Sequence, residues 1–202
     1  MAFNTIYRQF EKPWIYRLSQ FILAPGSKKA TTQRIKQLLK QLPTAHRILE
    51  IGCGPSSFLW QMGLHPIGLD LSHVYTLTFH HHGYEVINGS AVALPFLDRS
   101  FDGVWSIGLL HHLSDGEAQQ AVIEMMRICL PGGYIVIFDS VLPNPSWRRP
   151  VAYFLRRVDR GRFVRREEEI KNLLPLNRCF KMERITYSLN GLEAMLVYSV
   201  CK

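Results

Sequence analysis

The stretch that most constrains this chain runs from Arg47 to Leu59, RILEIGCGPSSFL. Ile48, Leu49 and Ile51 form a short apolar run that predicts a buried parallel strand. The run ends at Gly52-Cys53-Gly54. Pro55, Ser56 and Ser57 then lead into Phe58-Leu59-Trp60, which can start a helix. A strand, a tight glycine turn and a helix start gather free backbone N–H groups at one point. Glycine lets a ligand approach the backbone where a Cβ would clash.

Glu50 decides which ligand suits that turn. A phosphate-binding loop wants neutral or positive surroundings, and here a carboxylate stands just before the glycines. The stretch also lacks the Gly-x-x-x-x-Gly-Lys of a P-loop and the full Gly-x-Gly-x-x-Gly of a dinucleotide fold. Glu-x-Gly-x-Gly fits a ligand with a cationic end. S-adenosylmethionine (SAM) carries an ammonium and a sulfonium and no phosphate.

EIGCG is followed in order by GLDLS, ALPFLDRSFDGVWSIGLLHHL and LPGGYIVIFD. Across about residues 45–140 this series resembles the class I SAM-dependent methyltransferases, in particular the large group that includes the quinone-biosynthesis enzymes. The resemblance implies SAM as cofactor and an α/β, Rossmann-like, doubly wound seven-stranded sheet of order 3-2-1-4-5-7-6 with strand 7 antiparallel. It implies a cofactor site made by Glu50, Gly52, Cys53, Gly54, Asp70, Leu71, Ser90, Ala91 and Ile107. Asp70 ends the second strand, Pro66 to Asp70, and would take the ribose hydroxyls, with Leu71 against the adenine. Many relatives have Gly-Asp-Ala where this chain has Gly89-Ser90-Ala91, so a shorter, uncharged side chain stands at the adenine position.

The chain has 202 residues, enough for one α/β domain, and we read residues 1–202 as a single domain. No apolar run reaches the ~18 residues of a spanning helix, and the charged N-terminus does not read as a secretory signal. Cys53, Cys129, Cys179 and Cys201 are scattered without a Cys-x-x-Cys pair, which argues against zinc and for a reduced, cytoplasmic setting. His80-His81-His82 would point in three directions on a helix and cannot share one ion.

Residues 1–30 place aromatics from Phe3 to Phe21 near helical spacing and predict a helical arm. It packs on the core, caps the cofactor or substrate, or lies on a membrane surface. Pro25-Gly26 should end that arm, and Thr31 to Leu42 should form an amphipathic helix. Tyr84 to Ile87 should be the third strand, Gly103 to Ile107 the fourth and Tyr134 to Asp139 the fifth, with a helix over 116–129 between the last two. Phe180 to Tyr187 and Leu192 to Val200 should pair across Asn190-Gly191.

After the fourth strand comes Gly108-Leu109-Leu110-His111-His112-Leu113, not the Asn-Pro-Pro-Tyr type that holds a target amino group. His111 and His112 are the candidate bases. His-His-Leu recurs in family members with different substrates, which favours a structural or cofactor-lining role.

The formal net charge is +8, which favours acidic partners. Much of it lies in a lid-like insertion over 143–175. Between 143 and 171 nine cations face four carboxylates, with aromatics interleaved. A solvated basic face, a lid for an anionic substrate or lipid headgroup, and a nucleic-acid contact all suit this pattern. Trp147, Arg148 and Arg149 are the candidate lid residues. The favoured expectation is a small-molecule or lipid-like, anionic acceptor, reached by peripheral contact with an anionic membrane from the cytoplasmic side. RNA methylation and a non-catalytic SAM-binding module that activates a partner are the alternatives.

Overall fold

The computed structural model describes residues 24–55, 57–144, 146–157, 161–176 and 178–201. The predicted arm lies almost wholly outside these residues. The described chain opens instead on α1 (Ser27–Leu39), whose N-cap is Gly26 at φ +79°. Pro25-Gly26 therefore begins this helix, four residues before the expected start. Leu42 lies past its end but still packs on the same apolar cluster as Ile35 and Leu38.

The strands are β1 (Ile48–Ile51), β2 (Ile67–Asp70), β3 (Val86–Asn88), β4 (Phe101–Ile107), β5 (Cys129–Val141), β6 (Lys181–Thr186) and β7 (Glu193–Val200). They form one sheet of order β3-β2-β1-β4-β5-β7-β6. β1 pairs in parallel with β2 and β4, while β7 runs antiparallel to both β5 and β6. The expected topology is the observed one.

β5 is longer than expected. Phe101 pairs with Cys129 and Gly103 with Tyr134, so Leu130–Gly133 loops out within the strand rather than preceding it. Asp102 fixes the neighbouring loop, accepting the N–H groups of His46 (2.9 Å) and Arg47 (2.7 Å).

Helices cover both faces, because side chains alternate along each buried strand. One face carries Leu49, Ile51, Val104, Ile135 and Ile137 against Ala118, Val122 and Met125 of α4 (Asp115–Ile128). The other carries Ile48, Trp105, Val136 and Phe138 against Ile35 and Leu38 of α1 and Leu59 of the one-turn α2 (Phe58–Gln61). α3 (His73–His81) joins β2 to β3. A Ser114–Glu117 capping box starts α4. Between β5 and β6 lie a 3₁₀ turn (Ser146–Arg148), α5 (Pro150–Arg157) and α6 (Glu167–Leu173). Among the described residues no helix is long and apolar enough to cross a membrane.

Candidate active site

Parallel strands send their C-terminal ends to one edge, and the strand order reverses between β1 and β4. Glu50, the Gly52–Gly54 turn, Asp70, Leu71, Ser90, Ala91, Ile107, His111 and His112 all stand at or just past that edge.

The turn is built by backbone bonds to β2. The N–H groups of Gly52 and Cys53 both donate to Leu69 O, at 2.7 and 3.2 Å. Gly52 has φ +69°, and a Cβ there would come 2.9 Å from Leu109 Cδ1. Glycine is thus required both by the backbone and by the loop that follows β4. Asp70 closes the far side: one carboxylate oxygen accepts Gly54 N–H and the other Ser72 N–H, each at 2.8 Å. Burial pushes its carboxyl up, against those two hydrogen bonds. Asn88 Nδ2 donates to the carbonyls of Asp70 and Leu71 at 3.0 Å, fixing the start of the loop. Leu71, at 76% exposure, presents an uncovered apolar side chain beside Asp70.

Glu50 is 2% exposed. It accepts a hydrogen bond from the Ser57 hydroxyl, which in turn accepts Trp60 N–H at the start of α2. Among the described residues no lysine or arginine pairs with it. Desolvation pushes its carboxyl up to about 8, only partly offset by Ser57. A buried carboxylate without a cation fits a ligand that brings one. The donor set therefore suits SAM, a cation without phosphate. Burial also pushes the Cys53 thiol up, with the Glu50 and Asp70 charges adding to it, and Gly68 packs against its sulfur.

The remaining loops divide sharply. His111 is buried, its Nδ1 2.7 Å from Asp139 Oδ1. Gly161 lies so close to the ring that a Cβ there would meet His111 Cδ2 at 1.9 Å. The Phe163 N–H donates to His111 O at 3.0 Å. His112 is exposed, with its ring centroid 4.2 Å from that of His111.

The basic insertion is not one solvated face. Arg165 is 5% exposed. It donates to the carbonyls of Leu110 (2.8 Å) and Leu113 (2.7 Å) and to Asp115 (2.8 Å). Arg156 is also buried and bonds Tyr187 Oη and Glu193 O. Arg149 turns to the β6–β7 hairpin, reaching Thr186, Gly191 O and Glu193. Trp147 stays outward at 73% exposure with the Arg148 guanidinium 5.1 Å from its ring centroid. Val151 and Phe154 are exposed on α5. Arg157 and Arg162 are also exposed, Val158 and 159–160 fall outside the described residues, and among those described no cluster of histidine, cysteine or carboxylate suits a metal. The roles of Arg156 and Arg165 were missed from sequence, where a buried arginine looks like a solvated one.

Known proteins agree with this geometry. Residues 49–137 match the family described as "Methyltransferase domain". A tRNA (carboxymethyluridine(34)-5-O)-methyltransferase of Arabidopsis thaliana is 34% identical over 137 residues, covering 64% of this chain. The aligned part spans 33% of that protein's own length. A demethylmenaquinone methyltransferase of Listeria welshimeri is 29% identical over 170 residues, 76% of this chain and 70% of its own. A SAM-dependent methyltransferase structure from Thermotoga maritima superposes with a TM-score of 0.70 over 97% of this chain and 100% of its own. At 20% identity that likeness concerns the fold. Over residues 49–137 the chain is similar to the family described as "Methyltransferase domain", and the sheet order and the glycine turn bounded by two acidic side chains agree with that likeness.

Proposed function

We propose that the chain transfers the methyl group of SAM to a planar, anionic small-molecule or amphiphilic acceptor. The observation that carries this reading is the exposure of Trp147, Arg148, Val151 and Phe154 on the insertion, with the Arg148 guanidinium over the Trp147 ring. An indole backed by a guanidinium suits a flat ring, and the adjacent apolar side chains suit a hydrocarbon substituent. SAM supplies an already activated methyl group. The chain's own task is then alignment and exclusion of water. Glu50 would hold the cationic end, the Gly52–Gly54 backbone would approach the ligand, Asp70 would accept the ribose hydroxyls and Leu71 would lie on the adenine. Cys53, Ser90, Ala91 and Ile107 would line the rest. An acceptor oxygen that is already ionised needs no base. If it is protonated, His112, an exposed imidazole at this edge, would receive the proton.

RNA is the second reading, favoured by the name of the Arabidopsis relative. A polyanion needs several outward cations; Arg156 and Arg165 spend their N–H groups inside the fold, which leaves Arg148, Arg157, Arg162 and Arg166 as the exposed arginines of the insertion. The deciding experiment is transfer of labelled methyl from SAM into a fractionated extract of the source cell. Label in the small-molecule or lipid fraction, with a raised KM for Trp147→Ala, is expected. Label confined to RNA would overturn the acceptor, and SAM binding without label in any fraction would favour a non-catalytic module.

A further inference from the structure

A second site lies at the opposite end of the sheet, where β5 begins and β7 ends. Cys129 and Cys201 are separated by 72 positions in sequence, yet their sulfurs lie 2.8 Å apart. Backbone bonds fix the pair: Cys201 N–H donates to Gly133 O at 2.7 Å and Gly132 N–H to Cys201 O at 2.6 Å. Both thiols are free. They line a cavity of about 250 Å³ together with Arg99, Met126, Arg127 and Arg178. Arg127 is committed to Glu124 and Asp98. Arg178 keeps one N–H open: its guanidinium reaches Cys201, but its Nη1 is buried without a hydrogen-bond partner. A buried guanidinium N–H left unmade points to an anionic group that completes it. The Cys129 hydrogen bond and the Arg178 guanidinium together outweigh burial and bring the Cys201 thiol down to about 6, while Cys129 is pushed up. One sulfur is thus poised as the nucleophile and the other as its resolving partner.

We propose that Cys201 and Cys129 form a thiol–disulfide exchange site, entered by an anionic low-molecular-weight disulfide whose carboxylate meets Arg178. The Cys201 thiolate attacks one sulfur of the disulfide RSSR, forms a protein–S–S–R bond and expels RS⁻. Cys129 then loses its proton, attacks the Cys201 sulfur and expels the second RS⁻. Two protein thiols are oxidised and one RSSR is reduced to two RSH. This site is independent of the methyl-transfer reading.

The test uses the full reduced chain, freed of reductant, with glutathione disulfide at neutral pH, followed by peptide mapping and intact mass. The expected product is a Cys129–Cys201 cross-link that retains no glutathione there and reverses with dithiothreitol. Cys129→Ala should trap glutathione on Cys201. Both thiols staying free while the exposed Cys179 carries glutathione would overturn the proposal. A second arm replaces glutathione disulfide with the neutral hydroxyethyl disulfide. The anionic reagent should react faster, and Arg178→Ala should remove that advantage. Equal rates for the two reagents in the unmutated chain would overturn the anion-recognition step.

Discussion

The Nδ1 of His111 sits 2.7 Å from Asp139 Oδ1, and the same carboxylate accepts the N–H groups of Leu110 (2.6 Å) and Ser140 (2.7 Å). The end of β5 thereby holds the turn that follows β4, and that turn carries Leu109 against Gly52.

Asp139→Ala should cost about 3–5 kcal/mol, because it leaves a buried ring and two N–H groups without their acceptor. Burial works to raise the Asp139 carboxyl, but the His111 charge and hydrogen bonds prevail and hold it below its ordinary value. Its contribution is therefore present above the unfolded value near ~4 and is lost as pH falls through the lower folded value. Urea melts from pH 6 down to pH 3 check this. The Asp139→Asn variant should show a shallower acid loss than the unmutated chain.

Glu50 should behave in the opposite sense. Its folded carboxyl is raised to about 8, so the folded state holds the proton longer than the unfolded one. Stability should fall as pH rises from the unfolded value towards 8. Glu50→Gln should therefore raise the melting midpoint at pH 8 while weakening SAM binding by about tenfold or more. Calorimetry in buffers of different ionisation enthalpy should show proton release on SAM binding near pH 7. Unchanged affinity in Glu50→Gln would refute its role.

Asp70→Ala removes the acceptor for Gly54 and Ser72 N–H groups as well as the expected ribose contact. SAM affinity should drop by about tenfold or more, with the circular dichroism spectrum retained. Titration calorimetry of the folded variant checks both parts.

Two glycine substitutions should separate close packing from backbone entropy. A Cβ at Gly161 would meet the His111 ring, whereas one at Gly116 in the first turn of α4 would meet nothing within 4 Å. Gly161→Ala should lower the melting midpoint and loosen the insertion. Gly116→Ala should be neutral or stabilising by about 0.5 kcal/mol.

The strand–turn–strand frame from Ile48 to Phe138 was legible because each buried parallel strand is a near-continuous apolar run bounded by glycine or an acidic residue. Glu50 stood out for the same reason, as a charge inside such a run. The ends of α1 and β5 were harder, because α1 starts at Ser27, four residues before Thr31, and Leu130–Gly133 loops out of a ladder. The inward arginines were not legible at all. The partners of Arg165, Leu110 O and Leu113 O, are backbone carbonyls more than 50 positions away. Backbone acceptors leave no mark in composition. Cys129 and Cys201 escaped for a related reason, since only the backbone bonds of Cys201 to the looped-out Gly132 and Gly133 of β5 bring them together.

The stapling of Arg156 and Arg165 also decides what a protease can see. Trypsin needs several residues of locally opened backbone around the scissile bond. Arg157 and Arg162 are exposed, whereas Arg165 is held at both its guanidinium and its backbone, with Leu142 N–H donating to its carbonyl at 2.9 Å. Brief digestion should therefore nick after Arg157 or Arg162 and spare Arg165. The two fragments would stay together, because β7 remains zipped to β5 and β6 to β7.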